Sequence, residues 1–198
     1  RNGTKLIIID PRGQALDAYA WRSLRFSPGG DVALFNAMLH VVIDEGLFDQ
    51  AYIDAHTEGF EALAASVVDM TPEVMSPLCG VDPETIREVA RAYAGAESAM
   101  IFWGMGISQH VHGTDNARCL ISMALTCGQT GRPGTGLHPL RGQNNVQGAS
   151  DAGLIPMVLP DYQSVGDTQL RAAFEELWNT ELDPEPGLTV VEIMDAIT

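Results

Sequence analysis

Ser98-Ala99-Met100-Ile101-Phe102-Trp103-Gly104-Met105-Gly106-Ile107-Ser108-Gln109 is the stretch on which the fold turns. Ser98 to Trp103 reads as a strand, short and apolar, broken by the Gly104-Met105-Gly106 turn. Roughly Asn116 to Cys127 then reads as a helix that stops at Gly128. Upstream, Lys5 to Ile9 is another short apolar run, ending at Asp10-Pro11-Arg12, with the length and isoleucine content of a buried, parallel-type strand. Ser27-Pro28-Gly29-Gly30-Asp31 is a turn that places Asp31 as an N-cap. Leu34, Phe35, Met38, Leu39 and Val42 then share one helical face until Gly46, and a short helix follows over Gln50 to His56. Asp82-Pro83-Glu84 supplies a cap, a first-turn proline and an acid for a helix whose buried stripe is Ile86, Val89, Ala90 and Tyr93. Strand, helices, strand, glycine turn, helix implies an α/β layered fold. In such sheets ligands lie beyond the carboxyl ends of the strands, where Asp10-Pro11-Arg12 and Gly104 to Gln109 fall.

From Gln129 to Gly153 the chain reads as loop, rich in Gly, Pro, Gln and Asn. Two helices follow, joined by the linker Asp183-Pro184-Glu185-Pro186. The first has Thr168 as its cap and Leu170, Ala173, Phe174, Leu177 and Trp178 on one face; Thr189 caps the second, which runs to the end. The length, 198 residues, suits one domain or one and a half.

A composition of 45% hydrophobic and 19% charged residues supports a buried core and excludes disorder. The net charge of -15, from 26 acidic against 11 basic residues, argues against a nucleic-acid surface and an anionic membrane patch. Cys79, Cys119 and Cys127 are odd in number and lack a C-x-x-C spacing, so neither a disulfide framework nor a zinc ribbon is indicated. A cytoplasmic setting is the default, and no run reaches the length of a membrane span. The opening Arg1-Asn2-Gly3-Thr4, without an initiator methionine, reads as an internal piece of a longer protein.

Leu140-Arg141-Gly142-Gln143-Asn144-Asn145-Val146-Gln147-Gly148-Ala149 is the densest polar stretch, with one guanidinium and four carboxamides in ten residues. A fold seldom needs that many donors and acceptors in one loop, whereas a ligand with phosphates and ring heteroatoms does. Its glycines allow close backbone approach, and Arg141 offers a fork that grips an anion. The plain alternative is a loop arginine paired with a surface carboxylate. Asp10 reads either as an acceptor for a ribose or guanine edge or as a turn cap ahead of Pro11. Gly104-x-Gly106 is half a phosphate loop, since Gln109 stands where G-x-G-x-x-G needs glycine. His110-x-His112 has no third metal ligand at useful spacing, and Cys119 and Cys127 read as structural thiols.

The run Leu140 to Ala149, the segment Trp103 to Gln109 and the strand ending Asp10-Pro11-Arg12 together resemble one family, the molybdopterin oxidoreductases. The resemblance is specifically to the large, catalytic (alpha) subunit of molybdenum- or tungsten-dependent formate dehydrogenases. Pro28-Gly29-Gly30-Asp31 ahead of Leu34 to Met38, and Thr130-Gly131-Arg132-Pro133-Gly134, fit it too. It implies an incomplete Rossmann-like αβα layered domain over residues 1–142, within the formate dehydrogenase/DMSO reductase-like domains 1–3. Residues 143–198 would begin a second α/β molybdopterin-binding domain.

In that family two pyranopterin–guanine dinucleotides hold one metal. The resemblance implies that Asp10, Pro11, Arg12, Gly29 and Asp31 lie near the guanosine end of one dinucleotide. Gly104, Met105, Gly106 and Gln109 would approach its pterin or phosphates; Gly142 and Gln143 would sit close to the metal. Arg141 matches the active-site arginine that orients formate. The family's metal ligand, a cysteine or selenocysteine followed by histidine, has no counterpart here, since none of the three cysteines precedes histidine. The cysteine cluster for the four-iron, four-sulfur centre is likewise absent from these residues. The chain thus resembles a central slice, expected to be inactive in isolation. The implied parent oxidises formate to carbon dioxide, with electrons passing through iron–sulfur centres to partner subunits or electron-transfer proteins, NAD being the expected acceptor. Two alternatives stand beside it. A guanine-nucleotide-binding module without redox activity leaves the carboxamide loop unexplained, and an acidic interaction domain leaves the glycine loops unexplained.

Overall fold

The computed structural model describes residues 3–197. The opening Arg1-Asn2 and the closing Thr198 lie outside the described residues. The chain divides after Leu140 into two compact units.

The first unit opens with two short parallel strands, β1 (Ile7–Ile9) and β2 (Arg22–Leu24), with Ile8 opposite Ser23. The parallel expectation for β1 holds, but the strand is shorter than Lys5 to Ile9 and only half-buried, because β2 is its one partner among the described residues. Helices follow: α1 (Asp31–Asp44), α2 (Gln50–His56), α3 (Phe60–Val67), α4 (Pro72–Cys79) and α5 (Pro83–Ala94). A strand, β3 (Met100–Trp103), leads into the single turn α6 (Met105–Ser108), the helix α7 (Gly113–Thr126) and the strand β4 (Gly136–Pro139).

Helix α1 is the centre of this unit and packs against α3, α4, α5 and α7. Leu34 and Val42 have no exposed surface, and Ile86 and Val89 of α5 with Leu120 and Met123 of α7 complete the core around them. Each such side chain contributes about 1.5–3 kcal/mol by leaving water. Helix α5 starts as its sequence implies, Asp82 accepting from the Thr85 amide at 3.0 Å ahead of Pro83. Helix α4 uses the same device with Thr71 and Pro72. Asp31 is not the N-cap of α1. Gly30 takes that position, where a Cβ would lie 2.8 Å from the Cys79 Cα, and Asp31 becomes the first helical residue.

Strands β3 and β4 pair in parallel from Met100–Gly136 to Trp103–Pro139, with the Phe102 and His138 rings stacked at 4.7 Å. The ladder is extended by the Leu140 amide donating to the Trp103 carbonyl at 2.6 Å. Gln129, buried, accepts from the Ala99 amide and donates to the Ala96 carbonyl. Arg132 adds hydrogen bonds to the carbonyls of Glu97 and Gly128. The segment Thr130 to Gly134 therefore fastens the end of α7 to the start of β3.

The second unit holds α8 (Val146–Asp151), an antiparallel pair β5 (Val158–Leu159) and β6 (Gln163–Ser164), α9 (Thr168–Trp178) and α10 (Val190–Ile197). Asp167, rather than Thr168, caps α9, accepting from the amides of Gln169 and Leu170. Thr189 and Glu192 form the reciprocal bonds of a capping box at the start of α10. The architecture is mixed α/β, with three two-stranded ladders among the described residues. No helix among them is long and apolar enough to cross a membrane.

Candidate functional site

The first turn of α1 and the start of α7 border a cleft of about 710 Å³ in the first unit. Gly29 and Asp31 line it from one side; His110, His112, Asn116 and Arg118 line it from the other. Asp31 is 1% exposed, and neither carboxylate oxygen has a hydrogen-bond partner from another residue among the described residues. Burial pushes its pKa up, opposed by its own backbone N–H and by His110. An uncompensated buried carboxylate is costly unless donors meet it. The cleft thus presents an acceptor that suits a group with adjacent N–H donors, below a rim carrying cationic and imidazole side chains. Asp115 lies 3.5 Å from Arg118 and 3.7 Å from His112 and holds part of that rim.

The turn after β3 is built on its own carbonyls. Ile107 N donates to Gly104 O at 3.1 Å, Gln109 N to Met105 O at 2.9 Å, and His110 Nε2 meets Gly106 O at 2.8 Å. Met105, Gly106 and Gln109 are exposed. A Cβ on Gly104 would come 3.3 Å from the Leu140 carbonyl, whereas one on Gly106 would meet nothing. The protein itself therefore does not require glycine at 106.

The structure gathers Gly29 and Asp31 at the cleft, but Asp10, Pro11 and Arg12 do not line it. Asp10 sits at the end of β1 with its carboxylate occupied by the Arg12 amide and the Gln14 side chain, both at 2.7 Å. That is the turn-capping role. Beside it Asp17 accepts from Ser23, the Gln14 amide and Arg25, which together hold its carboxyl down at about 2.

Arg141, Gly142 and Gln143 belong to the second unit and are exposed. Two of the four carboxamides there have local work: Asn145 caps α8, and Gln147 donates to Asp151 and Tyr162. The side chains of Arg141, Gln143 and Asn144 form no hydrogen bond or ion pair among the described residues. Arg141 is thus not paired with a surface carboxylate.

Cys79 and Cys127 are buried, and Cys119 is half-buried in the cleft wall, its thiol 3.4 Å from Asn36 Oδ1. Burial pushes Cys119 up to about 11 and Cys127 up to about 12, so neither is a ready thiolate at neutral pH. Among the described residues no group of three His, Cys, Asp or Glu is placed to hold a metal ion. Asn36, Asn116 and Arg118, which line the cleft, are read from the sequence as helix residues and not as site residues. The available signal was the polar Asn36 inside the apolar run Leu34 to Met38, facing Cys119.

The molybdopterin oxidoreductase family model matches residues 1–197, and the chain belongs to that family. Within it, the chain is 47% identical over 193 residues to the F420-dependent formate dehydrogenase subunit alpha of Methanocaldococcus jannaschii. It is 44% identical over 194 residues to formate dehydrogenase H of Escherichia coli. Both alignments cover 98% of this chain, which spans 28% of the first relative's length and 27% of the second's. A nitrate reductase of Synechocystis is 35% identical over 192 residues, covering 96% of this chain and 27% of its own. Among solved structures, acetylene hydratase from Pelobacter acetylenicus superposes with a TM-score of 0.65 at 27% identity, over 67% of this chain and 18% of that one.

Proposed function

We propose that these residues form a central, cofactor-facing part of the catalytic subunit of a molybdenum- or tungsten-dependent formate dehydrogenase. The cleft fits a guanine dinucleotide in size and chemistry. Asp31 would accept from the N–H edge of the guanine base, with Gly29 allowing close approach and Arg118 and the two histidines facing phosphate. Asp10, Pro11 and Arg12 would shape the guanosine end from β1, and Arg12 keeps a guanidinium with no acid partner among the described residues. Gly104, Met105, Gly106 and Gln109 would face pterin or phosphate, which accounts for a glycine at 106 that the fold does not need. Gly142 and Gln143 would stand by the metal. When bound, the metal–pterin group supplies the redox chemistry.

Arg141 carries this reading furthest. An exposed, unpaired guanidinium in a chain of net charge -15 is held for an anion, and formate is the anion named by the relatives. Arg141 would grip the carboxylate and orient its C–H bond, and Gln143 would keep that position polar. The parallel β1–β2 and β3–β4 ladders support a Rossmann-like αβα layering over 1–142, with 143–198 opening the second pterin-binding domain. Electrons would leave through a four-iron, four-sulfur centre held outside these residues to partner subunits, with NAD as acceptor, in the cytoplasm.

Asp31 by itself also favours a guanine-nucleotide module without redox activity. Arg141→Lys in the full-length protein separates the two. The formate dehydrogenase reading expects turnover to fall by about a hundredfold or more, the cost of losing one aligned charge contact, with thermal midpoint and bound nucleotide unchanged. Unchanged formate turnover, or none in the unaltered protein, would leave the nucleotide module standing.

A further inference from the structure

Asn116 is one of four buried polar or charged residues among the described residues, 3% exposed in the first turns of α7. Its Nδ2 donates to the carbonyl of Ile107 at 2.9 Å. That carbonyl belongs to α6, which stops at Ser108, so the helix offers it no amide of its own. Gly113 brings the two elements into contact, since a Cβ there would lie 1.9 Å from the Ser108 carbonyl oxygen. The other side-chain bonds of the turn, Ser108 Oγ to Gly104 O and His110 Nε2 to Gly106 O, stay within the segment 104–110. Asn116 is thus the side chain that ties this turn to α7 among the described residues. It also lines the cleft that holds Asp31.

We infer that Asn116 is a positioning residue: its carboxamide fixes the turn 105–109 against the Asp31 cleft, setting the spacing between the two places where a dinucleotide is gripped. The inference rests on the dinucleotide reading above. Asn is suited to the task because it donates to the turn while remaining neutral beside an already buried carboxylate. Asp at this position is isosteric and cannot donate.

The test is hydrogen exchange on the full-length protein carrying Asn116→Asp, followed at the amides of Ile107, Ser108 and Gln109 and in α7 beyond Arg118. The turn amides are expected to exchange about tenfold faster, with α7 unchanged. Turnover per bound metal atom falls alongside. Unchanged exchange in the turn overturns the inference, as does a uniform rise through turn and helix, which marks plain destabilisation. Asn116→Ala, neutral and smaller, is read in the same way if the aspartate variant does not fold. Failure of both to fold assigns Asn116 to the core and ends the inference. Guanine nucleotide content of the unaltered protein is measured in the same preparation. Its absence sinks the dinucleotide reading, and the inference with it, whatever the exchange shows.

Discussion

Asp31 illustrates how a residue can stand out in the sequence while its local capping role is misread. The turn Ser27 to Asp31 announces a helix start, and an acid there reads as a cap. The close pass of Gly30 over Cys79 shifts the cap by one residue and sends the carboxylate into the cleft. No local pattern encodes that contact, because it joins positions far apart in the chain. Its raised pKa means the folded chain binds the proton more tightly than the unfolded chain, whose aspartate titrates near 3.8. Stability without ligand therefore falls as pH rises above that value. Asp31→Asn is expected to raise the thermal midpoint of cofactor-free protein at neutral pH by about 2–4 °C, roughly 1 kcal/mol, and to weaken guanine nucleotide retention. A lowered midpoint with full retention would contradict this. Composition alone draws attention to the loop of Arg141, whereas Asn116, a single amide on a helix face, carries no signal until its partner carbonyl is known.

At the level of elements, legibility followed length and capping only in part, since α3 and α4, eight residues each, went unread although Thr71 and Pro72 cap α4. Helices α1, α2 and α5 stand in the sequence because periodic apolar faces or a strong cap mark them. The strand β2, with three residues, β4, with four and a proline, and α8, with six, are too short for a period to emerge. The turn α6 makes its own prediction. Alanine is favoured over glycine inside a helix by about 0.5–1 kcal/mol, and nothing in the protein obstructs it at 106. Gly106→Ala is expected to leave the melting temperature equal or higher while reducing bound pterin, measured by fluorescence of the oxidised, released pterin. Full pterin content would show that position 106 does not meet the ligand. The connection between β1 and β2 has an acid signature. Asp17 is held at about 2 against an ordinary 3.8, so its bonds to Ser23, Gln14 and Arg25 stabilise fully above pH 4 and are lost as pH falls through 2. Melting curves of wild type and Asp17→Asn between pH 5 and 2 should converge at the acid end. A constant gap would mean the network does not titrate.

For the whole molecule, charge is the most instructive quantity. Eleven basic residues face 26 acidic ones, yet among the described arginines the guanidinium groups of Arg12 and Arg141 touch neither a carboxylate nor a backbone carbonyl. Both stand in segments expected from the sequence to face a ligand, and on the proposed reading anionic ligand atoms would compensate their charge. The mixed α/β class followed from the order of strands, glycine turn and helices. The division after Leu140 falls two residues before the boundary between 142 and 143 that the family resemblance implies, inside one continuous polar motif. On the proposed reading this chain grips a metal-bearing pterin–guanine dinucleotide. The most direct test is metal analysis with acid release of nucleotide on the full-length protein as purified. Molybdenum or tungsten accompanied by guanosine monophosphate is the expected result. A folded, active preparation with neither metal, or with a different base, would contradict it.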